Sequence, residues 1–199
     1  MTDTHDQIAG LLLAAGGGRR LGGRPKALLA HHGRPLVEHA VEVLRAGGCG
    51  PVHVVLGAAA EDVRERARLT GCVVVENPEW AEGMGSSLRV GLASLAGAGA
   101  RAALVSLVDQ PGIGSEAVAR VLGGYRDEGS LVAAAYDGVR GHPVLFGARH
   151  WPGIAASATG DRGARAYLKA HEAEIALVEC ADAAEPYDID TEADLRHLA

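Results

Sequence analysis

Residues 8–15 form an unbroken apolar run, Ile-Ala-Gly-Leu-Leu-Leu-Ala-Ala, that ends on Gly16, Gly17 and Gly18. A strand wetted on one face alternates polar and apolar residues, so a run of this kind reads as a strand covered on both faces and released into a tight turn. Covering both faces takes helices on both sides, and the rest of the chain supplies them in alternation. Residues 35–46 place Leu36, Val37, Ala40, Val41 and Leu44 on one helical stripe, with Pro35 at the entry and Gly47-Gly48 as the stop. A strand at 52–56, a charged helix at 61–69 and a strand at 72–75 ending at Asn77-Pro78 follow. Next come a helix at 87–96, a buried strand at 102–108, a helix at 115–125 with Ser115 as its N-cap, and a strand at 131–136. Past Val139 the rhythm changes to a short strand at 143–146, a helix at 161–170, a strand at 175–178 and a last helix after Thr191, which predicts an antiparallel excursion. The pattern as a whole predicts a three-layer α/β fold with a mostly parallel sheet and right-handed crossovers. Ligands in such sheets bind beyond the carboxyl ends of the strands, so the loops after the strands at Ile8, Cys72, Ala102 and Leu131 should converge on one crevice.

Composition narrows the function. The 199 residues, 48% hydrophobic and 22% charged, suffice for one core, and no linker divides them, so a single domain over 1–199 is expected. A formal charge of −6 excludes the basic field that nucleic acid binding needs. No apolar run approaches the roughly 18 residues of a membrane span, and residues 1–6 lack the basic start of a signal peptide, so a soluble cytoplasmic chain with no membrane partner is expected. Cys49, Cys72 and Cys180 are odd in number and far apart, which fits small core residues better than a zinc or disulfide framework. His31, His32 and His39 have no transition-metal spacing and read as surface or satisfied core residues. Arginines number seventeen against two lysines, which singles out Lys26.

Four segments carry chemistry. The first runs from Leu13, Ala14 and Ala15 through Gly16, Gly17 and Gly18 to Arg19, Arg20, Arg24 and Lys26, a glycine-rich loop leaving the first strand with four cations in it. Glycines let successive backbone N–H groups face an anion, while guanidinium forks and an ammonium neutralise phosphate charge. The loop fails the G-x-x-x-x-G-K-[ST] template, since Pro25 precedes and Ala27 follows Lys26, and Leu21 stands where a dinucleotide fingerprint needs its third glycine. The alternative is a flexible surface loop. The second segment centres on Asp109 at the end of strand 102–108, a position suited to a Mg²⁺ ligand, with Asp188 and Asp190 near the C-terminus able to supply a second carboxylate. Alternatively Asp190-Thr191 is simply a helix cap.

The third segment, from Asn77 to Ser86 and Ser87, enters a helix whose N-terminus could take a base or a phosphate, while ordinary capping remains the default for one of the serines. Neither serine satisfies G-x-S-x-G, which disfavours a hydrolase. The fourth pairs Arg140, Gly141, His142 and Pro143 with Asp161, Arg162 and Arg165, two polar loops suited to a phosphorylated acceptor, against the alternative of solvent-facing arginines without function.

Together these segments resemble the nucleotidyltransferases that complete the molybdenum cofactor, the MobA-like NTP transferases, over nearly the whole chain. Leu13, Ala14, Ala15, Gly16, Arg20, Gly22 and Lys26 approximate the family's L-A-A-G-x-x-x-R-x-G-x-x-K, with one extra residue between Gly22 and Lys26. N-P-x-W-x-x-G-M-x-S-S-L at 77–88, D-Q-P at 109–111, R-G-x-P-V-L-F at 140–146 and G-D-x-G-A-R at 160–165 are similar too. The resemblance implies a Rossmann-like mixed sheet, with a nucleotide-binding part at about 7–112 and an acceptor-binding part at about 113–199. It implies transfer of a nucleoside monophosphate from an NTP with Mg²⁺ to the terminal phosphate of molybdopterin, with pyrophosphate leaving. Lys26, Arg20 and Asp109 would be catalytic; Leu13, Ala14, Ala15, Gly16, Gly17, Gly18, Lys26, Asn77, Ser86, Ser87 and Asp109 would bind the nucleotide. His142, Pro143, Asp161 and Arg165 would bind the acceptor, and Asp109 and Asp190 the metal.

L-A-A-G together with D-Q-P looks like the cytidylyltransferase branch, which implies CTP rather than GTP. Alternatives kept open are guanylyl transfer to the same cofactor, nucleotidyl transfer to another phosphorylated metabolite, and a non-catalytic nucleotide-binding maturation factor that docks to a recipient molybdoenzyme. A nicotinamide dehydrogenase is disfavoured by Leu21.

Overall fold

A computed structural model describes residues 7–198; the expectation drawn from residues 1–6 lies outside them. A small antiparallel pair, β2 (Ala30–His31) and β3 (Arg34–Pro35), stands apart from a seven-stranded sheet. The centre of that sheet is β1 (Ile8–Ala14), paired in parallel with β4 (Val52–Leu56) and with β6 (Ala102–Leu107). Outside β4 lies β5 (Val73–Glu76), also parallel. The excursion predicted after Val139 is β8 (Val139–Gly147), antiparallel both to β6 and to β7 (Leu131–Tyr136), and β9 (Ala176–Glu179) adds to β7 in parallel.

All seven residues of β1 are buried, and they divide by the two-residue period of a strand. Ile8, Leu12 and Ala14 join one core with α1 (Leu36–Ala46), α2 (Ala60–Arg66) and α4 (Ser115–Leu122). Ala9, Leu11 and Leu13 join the other, under α3 (Met84–Gly97), α5 (Trp151–Ser157) and α6 (Arg165–Ala170). Cys49 and Cys180 are buried and Cys72 partly so, all three as free thiols, and burial pushes the Cys49 thiol up to about 12.

Several boundaries differ from the sequence expectation for identifiable reasons. α3 starts at Met84, because Gly83 is its N-cap and the two serines lie within its first turn rather than before it. Gly114, not Ser115, is the N-cap of α4, and no side chain caps it. The helix expected from Asp161 is a 3₁₀ turn at Gly160–Arg162 followed by α6, and the last helix is 3₁₀ at Glu192–Leu198. α5 was not anticipated, its short stretch giving no full amphipathic period. His31 is buried, yet its Nδ1 has no partner among the described residues, so it is not a satisfied core histidine.

β8 begins four residues before the expected Pro143 because Val139, Arg140 and Gly141 pair with β7 although none of them is buried, so they give no apolar strand pattern. Its ladder to β7 is broken. Ala133 pairs with Val144 and Ala134 with Gly141, which leaves His142 and Pro143 off the rungs. Proline has no N–H to give a rung, so the bulge falls where the chemistry requires it.

α3 sits close on β1 because Gly91 faces Leu11: a Cβ at Gly91 would lie 2.6 Å from a Leu11 methyl that is fully buried. Gly91→Val should therefore cost about 1–3 kcal/mol by overpacking, read as a lower urea midpoint with unchanged slope; an unchanged midpoint would refute the close approach.

Candidate active site

The four loops that leave β1, β5, β6 and β7 meet, as the alternation requires, in one cleft of about 1250 Å³. β8 contributes to the same rim by its first residues, because a reversed strand brings its beginning to the edge where its neighbours end.

Gly18 anchors the loop after β1. Its φ is +59° and a Cβ there would fall 1.9 Å from the Arg24 carbonyl oxygen, so only glycine fits. The Gly18 carbonyl accepts from Leu21 N at 2.8 Å and Gly23 N at 3.0 Å, and the Arg24 Nε donates to the Leu21 carbonyl at 3.0 Å. This compact turn absorbs the extra residue before Lys26 and still delivers the ammonium inward. Lys26 Nζ donates to Asp109 Oδ2 at 2.6 Å and to Asp190 Oδ1.

Asp109 stands one residue past the last β1–β6 rung, where Val108 N donates to the Leu13 carbonyl at 3.1 Å. The C-terminal segment is laid against it through Ile189 N, which donates to the Asp109 carbonyl at 2.9 Å. Asp194, not Asp190, does the capping: its Oδ2 accepts from Asp190 N, Thr191 N and Thr191 Oγ1 at 3.1, 2.7 and 2.8 Å. That frees the Asp190 carboxylate for Lys26, with Arg20 at 4.0 Å. Burial alone would lower the Lys26 pKa, but Asp109 and then Asp190 reverse it and hold the ammonium above its ordinary value. Burial raises the Asp188 carboxyl, helped by Asp109 and Asp190 and opposed by the hydrogen bond from Gln110 Nε2 at 2.8 Å.

Two carboxylate oxygens reaching one ammonium are two hard donors facing one point, a set that could hold a divalent ion if water and phosphate supplied the other ligands. Among the described residues no group of three or more His, Cys, Asp or Glu side chains forms a dedicated metal cage.

The other site residues divide by position. Leu13, Ala15, Gly16, Gly17, Gly18, Arg20, Lys26, Ser87, Asp109 and Asp190 line the cleft, as do His142, Asp161 and Arg165 towards its far end. Ala14, Asn77, Ser86 and Pro143 do not. Ala14 points into the opposite core, and Pro143 is buried in the bulge. Asn77, 1% exposed, donates through Nδ2 to Ser86 Oγ at 2.8 Å and Ser87 Oγ at 3.0 Å, while its Oδ1 accepts from Glu79 N at 3.0 Å. Its contribution is to hold the β5–α3 loop in shape behind the cleft wall.

Trp80, Gln110 and Tyr136 also line the cleft and were not singled out by sequence reasoning, while Asp188, the other carboxylate offered with Asp190, lines it too but is held by Gln110. For Trp80 the signal was its place in N-P-x-W in a chain with two tryptophans. Its indole lies across two backbones: a Cβ at Gly17 would be 3.0 Å from the ring, and one at Gly57 would be 2.4 Å from the Trp80 Cβ. At the far end Tyr136 Oη donates to the His142 carbonyl at 2.6 Å. The Asp137-Gly138 turn has φ of +51° and +78°, the two-residue hairpin geometry, and Glu179 accepts from both of its N–H groups at 3.0 Å.

Comparison with known proteins places this geometry among relatives. Residues 10–175 match the family described as the MobA-like NTP transferase domain. The chain is 42% identical, over 92% of each sequence, to a protein of Paenarthrobacter nicotinovorans named nicotine blue oxidoreductase. It is 31% identical to a molybdenum cofactor guanylyltransferase of Acidiphilium cryptum, over 94% of this chain and 92% of the relative. Among solved structures, Rv0371c of Mycobacterium tuberculosis in complex with manganese superposes with a TM-score of 0.75 at 29% identity, covering 96% of this chain and 97% of that one.

Burial, with Arg140 adding to it, pushes the His142 imidazole down to about 4. As pH falls below the ordinary value of 6.5 the unfolded chain takes up this proton and the folded chain does not, so this contribution to stability is lost between about pH 6.5 and about pH 4. Urea midpoints of the wild type should accordingly fall more steeply across that window than those of His142→Gln; parallel profiles would refute the assignment.

Proposed function

The chain belongs to the MobA-like NTP transferase family, and from that premise we propose that it transfers CMP from CTP to the terminal phosphate of molybdenum-molybdopterin and releases pyrophosphate. The observation that carries the proposal is the meeting of a glycine-rich loop, Lys26 and the Asp109–Asp190 pair at one end of a cleft whose other end is lined by His142, Asp161 and Arg165. A volume of about 1250 Å³ exceeds the roughly 300–1,000 Å³ usual for one small ligand and suits two substrates side by side.

In this reaction an oxygen of the acceptor phosphate attacks the α-phosphorus, the bond to the β-phosphate oxygen breaks, and pyrophosphate leaves with the electron pair. The nucleophile is already an anion, so no protein base or covalent intermediate is needed; positioning and charge neutralisation supply the acceleration. Backbone N–H groups of Gly16, Gly17 and Gly18 would face the triphosphate, and Arg20 and Lys26 would neutralise it. Asp109 and Asp190 would hold Mg²⁺, which when bound draws charge from the phosphate oxygens; the manganese complex of the structurally similar Rv0371c supports a divalent ion here. The nucleotide would occupy the part at about 7–112, with Ser87 beside it and Leu13 and Ala15 at the base. The acceptor would occupy the part at about 113–199, beside His142, Asp161 and Arg165, and the finished dinucleotide would pass to a recipient molybdoenzyme. Leu13-Ala14-Ala15-Gly16 with Asp109-Gln110-Pro111 favours CTP, while the relatives named guanylyltransferase make GTP the direct competitor.

A second reading rests on the relative named nicotine blue oxidoreductase. The same cleft would then seat a redox donor and its acceptor together. None of the three cysteines lines the cleft, so electrons would pass directly between the two bound molecules.

With Mg²⁺ and molybdenum cofactor, pyrophosphate release should be fastest with CTP among CTP, GTP, ATP and UTP, and Asp109→Asn should lower it about 10²-fold or more. Preference for GTP would overturn the base assignment alone. No release with any nucleotide, together with oxidation of NADH or NADPH in the presence of nicotine blue, would replace transfer by the redox reading; nucleotide binding without either activity would favour the non-catalytic maturation factor.

A further inference from the structure

The point that Asp109 and Asp190 face is filled by the chain's own cation. Lys26 Nζ donates to both carboxylates, and its side chain is only 15% exposed. Neighbouring cations of the same loop lean the same way: Arg20 lies 4.0 Å from the other oxygen of Asp190, and Arg24 Nη2 is 2.5 Å from Glu192. Asp188 is engaged separately by Gln110.

A divalent ion and an ammonium cannot share one point, because like charges at contact distance in a half-buried site repel strongly. Nor can Lys26 serve a phosphate fully while two of its three N–H donors are spent on carboxylates.

We propose that Lys26 is the resident counter-ion of the Asp109–Asp190 pair: it keeps divalent metal weakly bound in the nucleotide-free protein and is exchanged only when a triphosphate offers it new oxygens. Metal and nucleotide then enter with positive coupling, by an exchange in which each charge stays paired throughout. The ammonium leaves two carboxylates for phosphate oxygens as the divalent ion takes the carboxylates. The seat itself need not move, because Asp109 and the 188–190 segment are tied by backbone through Ile189 N, and Asp190 N by the Asp194 carboxylate. This inference rests on the nucleotidyltransferase reading and adds an order of events to it.

The test is Mn²⁺ binding to nucleotide-free protein, followed by the electron paramagnetic resonance of free Mn²⁺. Lys26→Met should bind Mn²⁺ about tenfold or more tightly than the wild type, within the usual range of coupling between sites, and Lys26→Met with Asp109→Asn should lose that gain. Equal or weaker binding by folded Lys26→Met overturns the proposal.

Wild-type protein gives a second measure that needs no variant. Only two lysines, Lys26 and Lys169, contribute side-chain ammonium signals, so the Lys26 Nζ resonance can be followed by NMR. Mg²⁺ alone should leave it in place and Mg²⁺ with CTP or GTP should move it; movement by Mg²⁺ alone at the same concentration overturns the proposal. Tryptophan fluorescence, to which Trp80 contributes from the cleft and Trp151 from the core, reports nucleotide binding independently. If nucleotide binds while the Lys26 results fail, only the counter-ion role falls; if nucleotide does not bind at all, the transferase reading falls with it.

Discussion

Parallel hydrogen bonding of β1 to β4 on one side and to β6 on the other decides where this protein can do chemistry. Leu13 pairs with Leu107, and Ala14 pairs with Leu56, so three strands finish at one edge and their loops have one direction to go. The rung from Val108 N to the Leu13 carbonyl then fixes Asp109 beside the glycine loop. A slip of one residue would turn every side chain of β1 to the wrong core, which is why the burial of Ile8, Leu12 and Ala14 on one face and Ala9, Leu11 and Leu13 on the other is also a positional constraint on the site. Apolar packing sets the register, and the register sets the distance between a cation and two carboxylates.

Opposite charges are gathered in one place. The cleft is lined by Arg20, Lys26, Arg140, Arg162 and Arg165 together with Asp109, Asp161, Asp188 and Asp190. Carboxylates of the C-terminal segment answer the cations of the glycine loop, Asp190 both Lys26 and Arg20 and Glu192 Arg24, and of these cations Lys26 is the most buried. Removing one member of such a group leaves its partner desolvated and unpaired, the usual source of large electrostatic penalties. The cleft is therefore polarised before any substrate enters it, the condition under which fixed charges stabilise a transition state without reorganising.

Elements whose apolar period was unbroken were legible from sequence, and so were the loops that leave β1, β5, β6 and β7, whereas the loop after β9, which also lines the cleft, was not. Ile8 to Ala14, Val52 to Leu56 and Ala102 to Leu107 each announce a strand because both of their faces are buried. What sequence could not reveal was which polar side chains turn towards the crevice. Asn77 carries the motif yet faces inward, because two serine hydroxyls satisfy its amide there. Asp190 reads as a cap and is not one, because Asp194 four residues on performs that role. Trp80 was invisible as a wall of the site because its placement depends on two glycines, Gly17 and Gly57, far apart in sequence. Long-range contacts of this kind have no local period to betray them.

The bulge in β8 has a consequence for how such a protein can change. His142 and Pro143 hang from the sheet without carrying a rung, while Gly141 and Val144 on either side keep the ladder closed. Side chains at the far mouth of the cleft can thus be exchanged without unpicking the pairing that aligns the glycine loop with Asp109. Divergence of the cleft's far end and preservation of the scaffold are mechanically separate, so a lineage built on this sheet can vary the side chain at His142 while the Lys26 end of the cleft stays as it was.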